Sequence, residues 1–275
     1  MEGKLLKKKK IGWIGGGNMA YAMVSGILQV DPGLGKNLMV SDPNEGKRQI
    51  FEKDFGLRAT HSNKAVIEHS DILIVAVKPH KSGEVLNEIK ALEKKELLVV
   101  SIAAGVSLEY LQEHLGPKAK IVRTMPNTPV LVQAGMTLMT PNANVDAKEL
   151  LEVRGIFESI GKVDEIEEKF LDAVAAISAS GPAYVYMFIE SLGDGGVLKG
   201  LPRKQSYEIA AQAVLGAAKM ILETGKHPGD LKDMVCSPGG MTIEAVYALE
   251  RNHFRASIME AVEICTDKSK KLVEG

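Results

Sequence analysis

Two stretches carry residue types whose spacing could do chemistry. The first is Gly15-Gly16-Gly17-Asn18-Met19-Ala20, which follows the apolar run Ile11-Gly12-Trp13-Ile14 and opens a helical pattern of Met19, Met23, Val24, Ile27 and Leu28. A G-x-G-x-x-A match between a strand and a helix reads as a dinucleotide fingerprint. Gly15 permits the tight turn, Gly17 lets the backbone approach a pyrophosphate, and Ala20 keeps helix and strand close. The helix N-terminus adds N–H groups and a partial positive charge. The plain alternative is a glycine-rich turn that only packs two elements. Asp42 stands where the acidic residue at the end of a second strand is expected. A free carboxylate there accepts from ribose hydroxyls and repels a 2′-phosphate, which leans towards NAD. Lys47 and Arg48 follow closely in sequence, so the choice between NADH and NADPH stays open.

The second stretch is Ser237-Pro238-Gly239-Gly240-Met241-Thr242, ahead of the apolar-periodic run Ile243, Val246, Tyr247 and Leu249. A glycine pair opening a helix leaves backbone N–H groups free for a carboxylate. Thr242 brings a hydroxyl that both donates and accepts. Taken alone, the stretch reads more readily as a helix cap than as a site. His61, His69, His80, His114, His227 and His253 form neither an H-x-x-x-H nor an H-E-x-x-H pattern, so no metal site is expected.

The elements that must position these residues follow from periodicity and breakers. Short apolar runs at 11–14, 38–40, 72–77, 97–102 and 120–123 alternate with helical patterns near 45–54, 63–69, 82–92 and 108–115. The run Ile72 to Val77 is continuous, as expected of a strand buried on both faces of a parallel sheet. This alternation predicts a doubly wound α/β domain. Met125 to Pro129 reads as a shaped loop, too Pro-rich for a strand. Gly135–Met139 and Lys162–Asp164 read as edge strands around a helix near 146–160. From Glu165 the spacing is helical throughout, interrupted at Gly181-Pro182, Gly200-Leu201-Pro202 and His227-Pro228-Gly229. Helix 206–224 is rich in Ala and Gly beyond what a solvent-facing helix needs, which points to a subunit interface. The expected domains are 1–164 and 165–275.

The composition is that of an ordinary globular protein of 275 residues, 45% apolar and 25% charged. A net charge of −1 gives no reason to expect a nucleic-acid or membrane partner, and the run Lys7 to Lys10 reads as a solvated edge. Cys236 and Cys265 form no C-x-x-C pair and fit a reducing, cytoplasmic setting. No apolar run reaches the ~18 residues of a membrane span, and Ile11–Ile14 is too short for a signal segment.

Five stretches together resemble pyrroline-5-carboxylate reductase across nearly the whole chain. They are the Gly15 fingerprint, Ala76-Val77-Lys78-Pro79, Arg123-Thr124-Met125-Pro126-Asn127-Thr128-Pro129, Ser178-Ala179-Ser180-Gly181-Pro182-Ala183-Tyr184, and Leu231 through Leu249 around Ser237-Pro238-Gly239-Gly240. The resemblance implies an N-terminal Rossmann domain and an all-α C-terminal domain that dimerises. It implies NAD(P)H-dependent reduction of 1-pyrroline-5-carboxylate to L-proline, the last step of proline synthesis. By position it implies that Gly15, Gly16, Gly17, Asn18, Met19 and Ala20 face the pyrophosphate, and Asp42 and Asn63 the adenosine ribose. Ala76, Lys78, Pro79, Ile102 and Ala104 would line the rest of the cofactor. Glu168, Val235, Ser237, Gly240, Met241 and Thr242 would form the substrate pocket. Thr242 would hydrogen-bond the imine nitrogen while the N–H groups around Gly239 to Thr242 hold the carboxylate. That loop is expected to face the carboxyl ends of the strands, from the same or a partner subunit. Met241 stands where the family usually has a small residue or Thr, and Met234 where some members have Asn; both bear on affinity. Two other readings remain. A β-hydroxyacid dehydrogenase needs a catalytic Lys in the interdomain helix, and Ser178 to Tyr186 contains none. A non-enzymatic nucleotide-binding regulator would leave Ser237 to Thr242 unexplained.

Overall fold

The computed structural model describes residues 9–273, with the backbone alone for 270–273. Lys7 and Lys8 of the lysine run lie outside the described residues. Lys9 pairs with the buried Glu152 at 2.9 Å.

One compact unit runs to Ala179 and takes in the chain again from Cys265; the other is Ser180–Ile264. The first holds eight strands: β1 (Ile11–Ile14), β2 (Leu38–Ser41), β3 (Arg58–Thr60), β4 (Ile72–Val75), β5 (Leu98–Ser101), β6 (Lys120–Pro126), β7 (Gly135–Pro141) and β8 (Gly161–Glu165). Their order is β3-β2-β1-β4-β5-β6-β7-β8. Every neighbouring pair is parallel except β6 and β7. The order reverses between β1 and β4, the crevice where an open α/β sheet binds its ligand.

Side-chain alternation along the strands builds two cores. Ile72 and Ile74 of β4 point into one, with Trp13, Phe51, Val100, Val122 and Phe157. Leu73 and Val75 point into the other, with Val66, Leu86, Val99, Leu111 and Ile121. Both faces of the strand are therefore apolar, and the sequence reads as an unbroken run. Helices α1 (Asn18–Val30), α2 (Glu45–Phe55) and α6 (Ala147–Glu158) supply the first core. Helices α3 (Asn63–His69), α4 (Pro79–Ala91) and α5 (Leu108–Leu115) supply the second. Their starts are fixed by the residue types the sequence puts there: Asn44, Ser62 and Ser107 each accept a backbone N–H, and Asp146 with Glu149 forms a capping box. Lys120, at the start of β6, hydrogen-bonds Glu149 and Glu96, which raise its pKa above the usual lysine value.

Two expectations about the sheet are corrected. Met125 and Pro126 continue β6 instead of opening a loop. Pairing of β6 with β5 ends at Arg123, so beyond it only β7 is alongside, and a proline without an N–H leaves no ladder bond unmade there. Gly135–Met139 is not an edge, since β7 lies between β6 and β8. The antiparallel return through Thr128–Val132 inserts it there.

Helix α7 (Leu171–Val174) passes into a wider-wound stretch, Ala175–Ala179. The second unit then contains α8 (Gly181–Leu198), α9 (Arg203–Thr224), α10 (Pro228–Val235) and α11 (Met241–Arg251), and α12 (Phe254–Val273) begins in it. Pro182 sits in the first turn of α8, where its missing N–H is harmless. Helices α8 and α9 close on each other through glycines: a Cβ on Gly193 would lie 2.2 Å from the Tyr207 ring, and one on Gly196 would lie 2.1 Å from Ser206 Oγ. Ser206 Oγ also donates to the Gly193 carbonyl at 2.6 Å. Among the described residues no helix is long and apolar enough to cross a membrane.

The β7–β8 pairing has no room for a side chain at its first rung. A Cβ at Gly161 would fall 2.1 Å from the Gly135 carbonyl oxygen, at a φ of +152°. Gly161→Ala is expected to cost about 1–3 kcal/mol, read as a lowered denaturation midpoint. An unchanged midpoint would show that the pairing is not as close as the backbone distances state.

Candidate active site

The fingerprint turn lies at the carboxyl edge of β1, between the ends of β2 and β4. Gly15 N–H donates to the Ser41 carbonyl at 2.8 Å, and Ala76 N–H donates to the Ile14 carbonyl at 2.8 Å. Gly15 has a φ of +104°, and a Cβ on it would sit 2.5 Å from the Ala76 carbonyl oxygen. Both facts require glycine. Over Gly17, by contrast, a Cβ would meet nothing within 4 Å. The backbone there is open, as the pyrophosphate role demands. Gly17 caps α1 without a side chain, and the first intrahelical bond is Tyr21 N–H to the Gly17 carbonyl. The N–H groups of Asn18, Met19 and Ala20 precede that bond and point out of the helix end. These residues fit a dinucleotide pyrophosphate.

Asp42 immediately follows β2 and is buried. Its Oδ2 accepts from Gly16 N–H at 2.9 Å and from Lys47 Nζ at 3.2 Å, and its Oδ1 accepts from Asn44 N–H at 2.9 Å. Asn63 begins α3 and accepts from Ser41 Oγ at 2.8 Å, which places it beside the same strand end. Ala76, Lys78 and Pro79 connect β4 to α4, with Lys78 at the cap position and Pro79 in the first turn. Ile102 follows β5 and its N–H donates to the Val75 carbonyl at 3.2 Å; Ala104 is exposed in the turn beyond. The structure thus gathers Gly15 to Ala20, Asp42, Asn63, Ala76, Lys78, Pro79, Ile102 and Ala104 along one carboxyl edge, after five adjacent strands, β3, β2, β1, β4 and β5.

Glu168 belongs to the same unit. Its Oε1 accepts from Arg123 Nη1 and from Leu108 N–H, both at 2.7 Å. The carboxylate therefore ties β6 to the first residue of α5, just past the Ile102–Ala104 turn. The Arg123 partnership was not anticipated from sequence, although an arginine at the end of the apolar run Ile121-Val122 is a signal for a buried partner. Asn127 was also missed: its side chain donates to the Ser178 carbonyl at 3.2 Å and accepts from Met136 N–H at 2.9 Å.

Val235, Ser237, Gly240, Met241 and Thr242 come together in the helical unit, where α10 passes into α11. Gly240 N–H donates to the Ser237 carbonyl at 3.0 Å, closing a turn whose Gly239 has a φ of +66°. Gly240, not Thr242, takes the cap position, and no side chain caps the helix. Thr242 is the second residue of α11 and partly buried; Met241 beside it is 90% exposed. The first-turn N–H groups and the Thr242 hydroxyl are thus presented at one helix end.

Comparison with known proteins gives the following. Residues 168–272 match the family model described as pyrroline-5-carboxylate reductase dimerisation, and residues 10–105 match the model described as NADP oxidoreductase, coenzyme F420-dependent. The chain is 49% identical to the pyrroline-5-carboxylate reductase of Escherichia coli K12, over 96% of this chain and 98% of that one. It is 41% identical to human pyrroline-5-carboxylate reductase 2, over 95% of this chain and 83% of that one. Among solved structures it is similar to the Plasmodium falciparum pyrroline carboxylate reductase with NADP bound. There the TM-score is 0.87 and the identity 38%, over 97% and 99% of the two chains. The Coxiella burnetii pyrroline-5-carboxylate reductase gives a TM-score of 0.90 and 34% identity, over 96% and 98%.

Gly15→Ala places a methyl against the Ala76 carbonyl at a left-handed φ. It is expected to weaken NADPH and NADH binding at least about tenfold, the scale of one lost oriented contact, measured by fluorescence titration of the dinucleotide. Unaltered affinity for both would remove the turn from the cofactor site.

Proposed function

The chain belongs to the pyrroline-5-carboxylate reductase family, and on that premise we propose how its residues share the reduction of 1-pyrroline-5-carboxylate to L-proline. The protein is an NAD(P)-dependent oxidoreductase acting on a C=N bond. The reduced nicotinamide, when bound, supplies hydride to the C5 carbon of the imine. Everything else falls to the chain.

Gly15 to Ala20 hold the pyrophosphate through the open backbone at Gly17 and the N-terminus of α1. Asp42 and Asn63 line the adenosine ribose. Ala76, Lys78, Pro79, Ile102 and Ala104 bound the rest of the dinucleotide along the strand ends. For the substrate, the first-turn N–H groups of α11 hold the carboxylate and the Thr242 hydroxyl hydrogen-bonds the ring nitrogen. Val235, Ser237, Gly240 and Met241 shape the same pocket, and a role in substrate binding is proposed for Glu168 on the family resemblance. The observation that carries this reading is the uncapped, glycine-led entry to α11 with Thr242 in its first turn. A structural cap would place a side-chain acceptor there; this helix end leaves its donors for a ligand.

No His, Lys or Tyr is assigned as general acid. A pyrrolinium nitrogen can take its proton from water, so the contribution of Thr242 is orientation of the acceptor carbon for near-attack geometry. The β-hydroxyacid dehydrogenase reading is disfavoured because α8, Gly181 to Leu198, contains no lysine.

The dimerisation model matched over 168–272 places self-association in the C-terminal region. We assign the contact to the helices of the second unit, as a homodimer or higher oligomer. Tyr186, Met187, Leu215 and Leu222 are all exposed on those helices, which favours a further covering surface. A cytoplasmic location is consistent with Cys236 and Cys265 carrying thiols, not a disulfide.

The test is oxidation of NADH and NADPH with pyrroline-5-carboxylate, set against a panel of 3-hydroxyacids run in the oxidative direction. Pyrroline-dependent oxidation is expected with at least one cofactor, and its absence with both would refute the assignment. Thr242→Ala is expected to lower turnover by about 10- to 100-fold, with Thr242→Ser recovering most of it. Steady-state constants equal to wild type in Thr242→Ala would sink the role given to the hydroxyl.

A further inference from the structure

At the end of β2 the charges are arranged differently from what Asp42 alone suggests. An ionised carboxylate offers about four acceptor positions. Three on Asp42 are taken, by Gly16 N–H, Asn44 N–H and the Lys47 ammonium. It therefore cannot accept from both ribose hydroxyls without giving up one of these three bonds, to the fingerprint turn, the cap of α2 or Lys47. Its charge is also compensated: Lys47 Nζ sits 3.2 Å away, on a side chain 47% exposed against 6% for Asp42. Arg48 adds a second cation, with Nη1 donating to the carbonyls of Asp42 and Pro43 at 2.7 and 2.9 Å. Arg48 is thereby committed to holding the strand end. The Lys47 ammonium has one hydrogen bond to protein among the described residues, to Asp42, which leaves N–H groups facing solvent.

We infer that Lys47 is a specificity-determining residue, which admits the 2′-phosphate of NADPH at the adenosine ribose by neutralising Asp42 and donating to the phosphate. This rests on the reading that the Gly15–Ala20 turn holds the dinucleotide. Phosphate recognition by a lysine is a point-charge interaction, tolerant of geometry and sensitive to salt. With Lys47 present, Asp42 and its two cations, Lys47 and Arg48, sum to one positive charge. Without it, the carboxylate faces the phosphate with only a fixed arginine behind it. The ribose hydroxyls of NADH meet no such change, because they donate to a carboxylate lone pair and need no ammonium for it.

The experiment is equilibrium binding without turnover. Kd values for NADPH, NADH, 2′,5′-ADP and 5′-AMP are measured by calorimetry on wild type, Lys47→Ala and Lys47→Arg at two salt concentrations. Lys47 is exposed on the surface of α2, and thermal melts check that the variants fold. The expected result is a Kd for NADPH and 2′,5′-ADP raised about tenfold in Lys47→Ala, with NADH and 5′-AMP within about twofold of wild type. Lys47→Arg restores the phosphate-bearing pair. Added salt should weaken NADPH more in wild type than in Lys47→Ala. Equal losses for both dinucleotides, or an unaltered NADPH Kd, would overturn the assignment. Binding of NADH to wild type reports separately on the dinucleotide reading itself, so the two failures are distinguishable.

Discussion

The close approach of three backbone segments at Gly15 is the constraint from which the cofactor edge follows. The turn after β1 donates to the end of β2 through Ser41 and passes the carbonyl of Ala76 at the end of β4 with no space for a methyl group. A side chain at this point would push β1 away from β4, where the strand order reverses and the crevice opens. Because the turn is this tight, α1 begins three residues later with its donors facing the crevice. Asp42 then ties the next glycine of the turn to the end of β2. The sites proposed for pyrophosphate and ribose are thus parts of one hydrogen-bonded corner, and neither can shift without the other.

Most of this corner was legible in the sequence, because each part rests on local physics. A glycine at a left-handed φ, a strand buried on both faces and a helix with a small residue at its third position all leave marks in residue type and spacing. What sequence could not show was the state of the Asp42 carboxylate. Its three partners come from Gly16, Asn44 and Lys47, and only folding brings Gly16 within 2.9 Å of a residue 26 positions away. Type and position identify a carboxylate; its free lone pairs depend on tertiary contacts. The Arg123–Glu168 pair was hidden for the same reason, since its members are 45 residues apart.

The errors about the sheet share a cause. By residue type Met125 to Pro129 is too Pro-rich for a strand, yet Pro126 lies where β6 has lost one of its neighbours and its missing N–H leaves no ladder bond unmade. Position in the sheet decides whether a proline is tolerated, and position is a property of topology. The edge assignment for Gly135–Met139 failed likewise: a strand's burial order follows from which neighbour it pairs with, and an antiparallel return cannot be told from a parallel one by a seven-residue pattern.

The helical unit poses a different problem, because its apolar pattern is not resolved by its own fold. In the sheet-bearing unit the large apolar side chains of β1, β4 and β5 are almost all buried, whereas Met187, Leu215, Leu222 and Met259 of the helical unit are more than half exposed. Helical periodicity there is readable, but the face it marks is left exposed within the unit itself. The same holds for the α10–α11 entry. Its glycines, its uncapped first turn and Thr242 are internally consistent as a seat for a carboxylate and a ring nitrogen. That consistency uses no titrating side chain, which matches a reaction whose bond-making pair is a hydride donor and an electrophilic carbon. A protein doing such chemistry gains rate by holding two carbons in line. The seat proposed at the α10–α11 entry fits that demand, with backbone donors and the Thr242 hydroxyl on one helix end.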